Sequence, residues 1–157
     1  MNLPTKNQVL ICKSFLTKEE CKYFLDIAPQ VNQKGQKNIP WEERTKDITN
    51  HDIVKKVSNY LESQTQVPFN ISQAQIQNWY EGSSSDMHVH NENNRENIVY
   101  NSLIYLNDNY EGGEFYTEDI SIKPEVGMLT LFNGQETYHG VKEVKKADRF
   151  TLIFWWQ

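Results

Sequence analysis

Three of the four histidines fall in the second half of the chain, and two of them, His88 and His90, stand two residues apart. In an extended chain residues i and i+2 share a face, so both imidazoles can reach one ion. Glu92 continues that face if the strand persists. His139 follows a strand-like run and a short polar loop, from where it can return on a neighbouring strand. Two histidines and a carboxylate on one face of an ion leave positions open for a bidentate ligand and O2, the arrangement that suits non-haem Fe(II). The plainer reading is of solvated histidines on a polar strand, and the spacing alone leaves both open.

A second group lies near the C-terminus. Arg149-Phe150-Thr151 places a guanidinium and a hydroxyl on one strand face. A fixed fork of donors beside a hydroxyl suits a carboxylate. The rest of that strand, Leu152 to Trp156, is apolar, so an inward Arg149 would need an anionic partner. The alternative is that Arg149 merely starts the strand at the surface. Tyr105 shares a face with Leu103 and Asn107, where its phenol can add one hydrogen bond or serve only as core.

Elements able to hold these residues are legible along the chain. Val9-Leu10-Ile11 reads as a short strand. Thr17-Lys18-Glu19-Glu20 makes a capping box, with Leu16 and Cys21 placed as a hydrophobic staple. Cys21, Phe24, Leu25 and Ala28 recur at helical spacing up to Pro29. Residues 30–48 are polar and aperiodic and read as a long surface connection. A second helix is expected from Asn50 as N-cap, with Ile53, Val54, Val57 and Leu61 inward. Beyond Phe69 the pattern turns to strands over residues 74–80, 103–107, 128–132 and 150–156, separated by Gly82-Ser83-Ser84, Asn107-Asp108-Asn109, Gly112-Gly113, Pro124 to Gly127 and Asn133-Gly134. Many short strands after two helices predict a mainly β fold with N-terminal helices, a jelly roll of cupin-like, double-stranded β-helix type. The 157 residues read as one domain, helical over 1–66 and jelly roll over 67–157.

Composition narrows the function classes. An aromatic share of 12% is too rich for a disordered chain. Sixteen basic against 21 acidic residues, a net charge of −5, disfavour a general nucleic-acid binder. Cys12 and Cys21 fit no zinc or redox spacing, and Cys21 falls on the apolar helix face. No secretory h-region and no membrane-length apolar run are present, so the expectation is a soluble protein of a reducing, cytoplasmic compartment.

In their order, several stretches resemble the prolyl-4-hydroxylase-like members of the 2-oxoglutarate/Fe(II)-dependent oxygenase superfamily. They are Trp79-Tyr80-Glu81-Gly82, Asp86-Met87-His88-Val89-His90, Ile104 to Asp108, Tyr110-Glu111-Gly112-Gly113-Glu114-Phe115, Lys123 to Gly127, Phe132, His139-Gly140-Val141 and Arg149-Phe150-Thr151 through Trp155. The opening Phe15 to Cys21 is similar to these proteins' first helix.

The resemblance implies a hydroxylase that couples oxidative decarboxylation of 2-oxoglutarate to substrate oxidation, with Fe(II) as metal, O2 as oxidant and ascorbate as an accompanying reductant. It implies Arg149 and Thr151 for the distal carboxylate of 2-oxoglutarate, Tyr105 assisting and Trp155 lining the pocket. One departure stands out. Where such proteins usually carry aspartate two residues after the first ligand histidine, this chain has His90. The ligand set is therefore His88, His90 and His139, or alternatively His90 and Glu92 with His139, the first being preferred. A metal-binding but non-catalytic cupin-like module, and a three-histidine iron dioxygenase that does not use 2-oxoglutarate, are the alternatives. The substrate is expected to be a small molecule or a peptidyl residue, selected by loops 30–48 and 91–99.

Overall fold

The computed structural model describes residues 2–31, 39–90 and 97–157. In chain order it has β1 (Val9–Cys12), α1 (Lys18–Ile27), α2 (Trp41–Arg44), β2 (Thr45–Asp47), α3 (Asp52–Thr65), β3 (Ile71–Trp79) and β4 (Ser85–His88). There follow β5 (Tyr100–Tyr105), β6 (Glu111–Gly112), β7 (Phe115–Tyr116), β8 (Ser121–Ile122), β9 (Leu129–Asn133), β10 (His139–Val141), β11 (Val144–Lys145) and β12 (Arg149–Trp156).

The two longer helices begin as their end chemistry dictates. The Thr17 hydroxyl accepts from the Glu20 amide and the Glu20 carboxylate accepts from the Thr17 amide, each at 3.1 Å, so both arms of the capping box form. The cap of α3 is His51 rather than Asn50. The backbone turns over Ile48 to His51, and the His51 Nδ1 accepts from the Ile53 amide at 3.0 Å. An imidazole acceptor replaces the expected carboxamide, one residue later. Ile53, Val54, Val57 and Leu61 face inward.

The expected long connection over 30–48 differs from the structure where it is described. It contains α2 and the edge strand β2, which pairs Thr45 with Gln77 and Asp47 with Gln75, and Ile39 and Ile48 are buried. A three-residue strand is too short to show a period. Its pairing comes from a partner thirty residues away.

Six antiparallel strands form the major sheet, in the order β1-β9-β5-β12-β3-β2, and β4-β10-β7-β8 form the minor one. This is the jelly roll expected. Two strands of the N-terminal part, β1 and β2, lie in the major sheet. Among the described residues no helix is long and apolar enough to cross a membrane.

The central strand β12 is buried along its whole length, and its alternation divides the core. Phe150, Leu152, Phe154 and Trp156 join Phe24, Val57 and Leu61 on the helix side. Ile153 and Trp155 join Leu103, Tyr105, Phe115 and Phe132 between the sheets. Each such large side chain contributes about 1.5–3 kcal/mol by leaving water, so both faces of β12 are pinned and its register is fixed. Arg149 and Thr151 are thereby locked onto the inner face.

Candidate metal centre and carboxylate site

His88 and His139 stand opposite each other where β4 pairs with β10. The strand does not persist to Glu92: β4 stops at His88, and the His90 amide then donates to the Gly134 carbonyl at 2.7 Å. That contact, rather than strand periodicity, brings His90 beside the other two. Glu92 lies outside the described residues. The candidate ligand atoms of His88, His90 and His139 all lie within 4.8 Å of one another.

Each ring is oriented by its Nδ1. His139 Nδ1 donates to the Thr137 carbonyl and His88 Nδ1 to the Asp86 carbonyl, both at 2.8 Å. His90 Nδ1 lies 2.8 Å from the Asn101 Oδ1, while the Asn101 Nδ2 points to the Phe154 carbonyl at 3.4 Å. A carbonyl oxygen can only accept, so all three rings carry their proton on Nδ1 and present the Nε2 lone pair. The Nε2 atoms of His90 and His139 are 3.1 Å apart. Two nitrogens about 2.1 Å from one ion and at right angles would lie about 3 Å apart. The donor set fits a cation.

His139 is buried and stacks on Phe115, with ring centroids 5.4 Å apart and planes 17° from parallel. Burial, then the neighbouring His90, pushes its pKa down to about 3, against the pull of the Thr137 carbonyl. The imidazole is therefore neutral at ordinary pH, which is the form a metal needs.

The three histidines open onto a cavity of about 270 Å³, walled by Arg149, Trp155, Trp79 and Trp41 among others. Arg149 is 1% exposed, and its Nε and Nη2 have no hydrogen-bond partner. Thr151 faces Tyr105 across the β12–β5 ladder, and both hydroxyls are likewise buried and unpartnered. The guanidinium lies 5.3 Å from the Tyr105 ring centroid and 5.5 Å from that of Trp79. Burial raises the Tyr105 pKa, and the Arg149 charge pulls the other way. Among the described residues Arg149 forms no ion pair. A buried cation without a counter-ion costs several kcal/mol, and two orphaned hydroxyls add to that cost. A carboxylate in the cavity beside Arg149 would supply the missing counter-ion. Gly113 makes room for this arrangement: a Cβ there would come 2.9 Å from the Tyr110 ring and 3.0 Å from the Arg149 Cδ, and its φ of +67° suits glycine.

The sequence reading passed over Asn101, which shares the inward face of β5 with Leu103 and Tyr105. Its carboxamide is fully buried, and in the sequence only its phase with Leu103 and Tyr105 marked it. Gly134 belongs with it, since a Cβ there would meet the Asn101 Oδ1 at 2.2 Å and the His90 Nδ1 at 2.7 Å. Trp41 and Trp79 were also not assigned to the site. If the Asn101 carboxamide fixes His90, Asn101→Leu weakens metal binding about 10- to 100-fold, the usual effect of removing an orienting partner. A competition titration against a chromophoric chelator measures this, and unchanged affinity would show that His90 is not held through Asn101.

Residues 74–157 match the family model described as the 2OG-Fe(II) oxygenase superfamily. The chain is 44% identical over 64 residues to prolyl 3-hydroxylase 2 of Homo sapiens, covering 36% of this chain and 9% of that protein. It is 30% identical over 137 residues to prolyl 3-hydroxylase 1 of Gallus gallus, covering 67% and 19%. The chain thus spans less than a fifth of the length of either relative. In structure it is similar to the viral collagen prolyl hydroxylase of Paramecium Bursaria Chlorella virus-1, with a TM-score of 0.74 at 16% identity over 99% of this chain and 92% of that one. At that identity the likeness concerns the fold.

Proposed function

The chain belongs to the 2OG-Fe(II) oxygenase superfamily, and on that footing we propose that it is a 2-oxoglutarate-dependent hydroxylase acting on a prolyl residue of a polypeptide. The observation that carries this reading is the buried Arg149, with Nε and Nη2 unpaired, lining the same cavity as three converging imidazoles, and the orphaned hydroxyls of Tyr105 and Thr151 lie on the strand face beside it. The similarity to prolyl hydroxylases supports the substrate class.

In this reading His88, His90 and His139 hold Fe(II) through Nε2. Arg149 holds the distal carboxylate of 2-oxoglutarate with a bidentate fork, and Thr151 and Tyr105 each donate a hydroxyl to it. Bound together, Fe(II) and 2-oxoglutarate would supply the oxidising chemistry, in which the keto acid goes to succinate and CO2 as one oxygen atom of O2 enters the succinate and the other a substrate C–H bond. Asn101, Thr137 and Asp86 keep the imidazole protons on Nδ1. Phe115, Phe132 and Trp155 line the cavity with apolar surface and keep water from competing for the reactants.

Three neutral imidazoles leave the ion's double charge uncompensated. The chelating end of the keto acid brings one carboxylate and offsets half of it, the other carboxylate going to Arg149, so the histidine set favours an anionic chelate. Anaerobic titration of the Fe(II)-loaded protein with 2-oxoglutarate is expected to produce a visible metal-to-ligand charge-transfer band. Iron binding without such a band would remove 2-oxoglutarate from the reading. The three-histidine composition favours one second reading, an iron dioxygenase independent of 2-oxoglutarate, which would consume O2 with substrate alone.

A further inference from the structure

The cosubstrate leaves part of the cavity wall without a role. Trp41, on α2, lines the cavity yet is 41% exposed, so its indole is shared between the interior and the mouth. The ring is held in place rather than folded away. Arg44, one turn further on, lies over it with Cζ 4.9 Å from its centroid, and the same guanidinium is 5.2 Å from Trp79 and 4.8 Å from Tyr80. The Arg44 Nε donates to the Asn78 carbonyl at 3.0 Å. Its Nη2 is shielded from solvent and forms no hydrogen bond, so the three rings are its partners. Trp41 also meets Trp79 edge-on at 6.2 Å, and the Thr45 hydroxyl donates to the Trp41 carbonyl at 3.1 Å. Arg44 thus braces the indole from one side while the residue stays part-exposed at the cavity.

Size then decides what meets that indole. The cavity, about 270 Å³, has no room for a length of polypeptide once the proposed function commits part of it to 2-oxoglutarate. A polypeptide can insert one residue, and its neighbours must run across the mouth, where Trp41 stands. A rigid, half-exposed aromatic suits a chain that arrives already extended, because a polyproline II segment loses little entropy on docking against aromatic rings.

We propose that Trp41, braced by Arg44 and Trp79, is an outer docking ring for a prolyl residue flanking the one that is oxidised, in a substrate segment of polyproline II conformation. This rests on the prolyl hydroxylase reading above. The probe is a decaproline peptide, with a glycine-serine peptide of equal length as control, titrated calorimetrically and anaerobically into the protein loaded with Fe(II) and 2-oxoglutarate. The parent is expected to bind decaproline and not the control. Trp41→Ala is expected to weaken binding about 10-fold, the scale of one lost aromatic contact, Trp41→Phe to recover most of it, and Arg44→Met to fall between. The charge-transfer band with 2-oxoglutarate should be the same in all three variants, which also certifies their folding. Decaproline binding that is absent in the parent, matched by the control or indifferent to Trp41→Ala overturns the docking ring. A parent that binds decaproline through Trp41 but gives no band keeps the docking ring and overturns the oxygenase reading instead.

Discussion

His139→Ala is expected to empty the protein of Fe(II). Under either ligand set His139 is a member, and it is the most deeply buried of the three histidines, stacked on Phe115 and directed by the Thr137 carbonyl. Removing it leaves at most two ligand side chains, so the loss should exceed the 10- to 100-fold or so that follows removal of a mere orienting partner. His139→Gln, which retains much of the volume beside Phe115 and Phe132, separates loss of the ligand from collapse of the cavity, and it too should lose iron. The measurement is iron stoichiometry after anaerobic loading and gel filtration. His88→Ala is expected to share the loss and Glu92→Ala to spare it, while the reverse pattern would transfer the ligand role to Glu92. Full iron content in His139→Ala would leave the proposed centre without support.

The second large effect concerns the cosubstrate. Arg149→Ala should weaken 2-oxoglutarate about 10- to 100-fold, because hydrogen bonds to charged groups contribute about 1.5–3 kcal/mol each, and the cavity wall offers little water as a substitute. Arg149→Lys should recover only part, since an ammonium cannot reproduce the planar fork. Thr151→Val should cost less, near one neutral hydrogen bond. Iron should remain bound throughout, as the guanidinium is not a ligand. The apparent affinity from the charge-transfer titration reads all three variants, and wild-type affinity in Arg149→Ala would place the carboxylate elsewhere.

What could be read from the sequence was what depends on near neighbours. The capping box spans four residues, and both of its hydrogen bonds form. The alternation of β12 spans eight, and it placed Arg149 and Thr151 on the inner face together. The fold class followed from the succession of such short signals. The pairing of His88 with His139 depends instead on a register across fifty residues, which no local pattern encodes. His90 reached its place by a different route from the one expected, through the Gly134 carbonyl after β4 had ended. Asn101 is a polar residue whose meaning depends wholly on which imidazole faces it. Trp41 and the edge strand β2 were hidden in a stretch without periodicity, because three or four residues cannot display one.

The division of labour between the two sheets has a further consequence. His88 and His139 stand on the minor sheet, whereas Arg149, Thr151 and Tyr105 stand on the major one. A keto acid chelated at one end and held by the guanidinium at the other would rivet the two halves of the molecule. Any ligand that binds only the folded chain stabilises it, by about 2.7 kcal/mol at a concentration one hundred times its Kd. Since the opened population governs attack by proteases when reclosing is fast, the supply of the keto acid would set the lifetime of the polypeptide in the cell as well as its turnover rate. Scarcity of the cosubstrate would then shrink the pool of protein, not merely idle it.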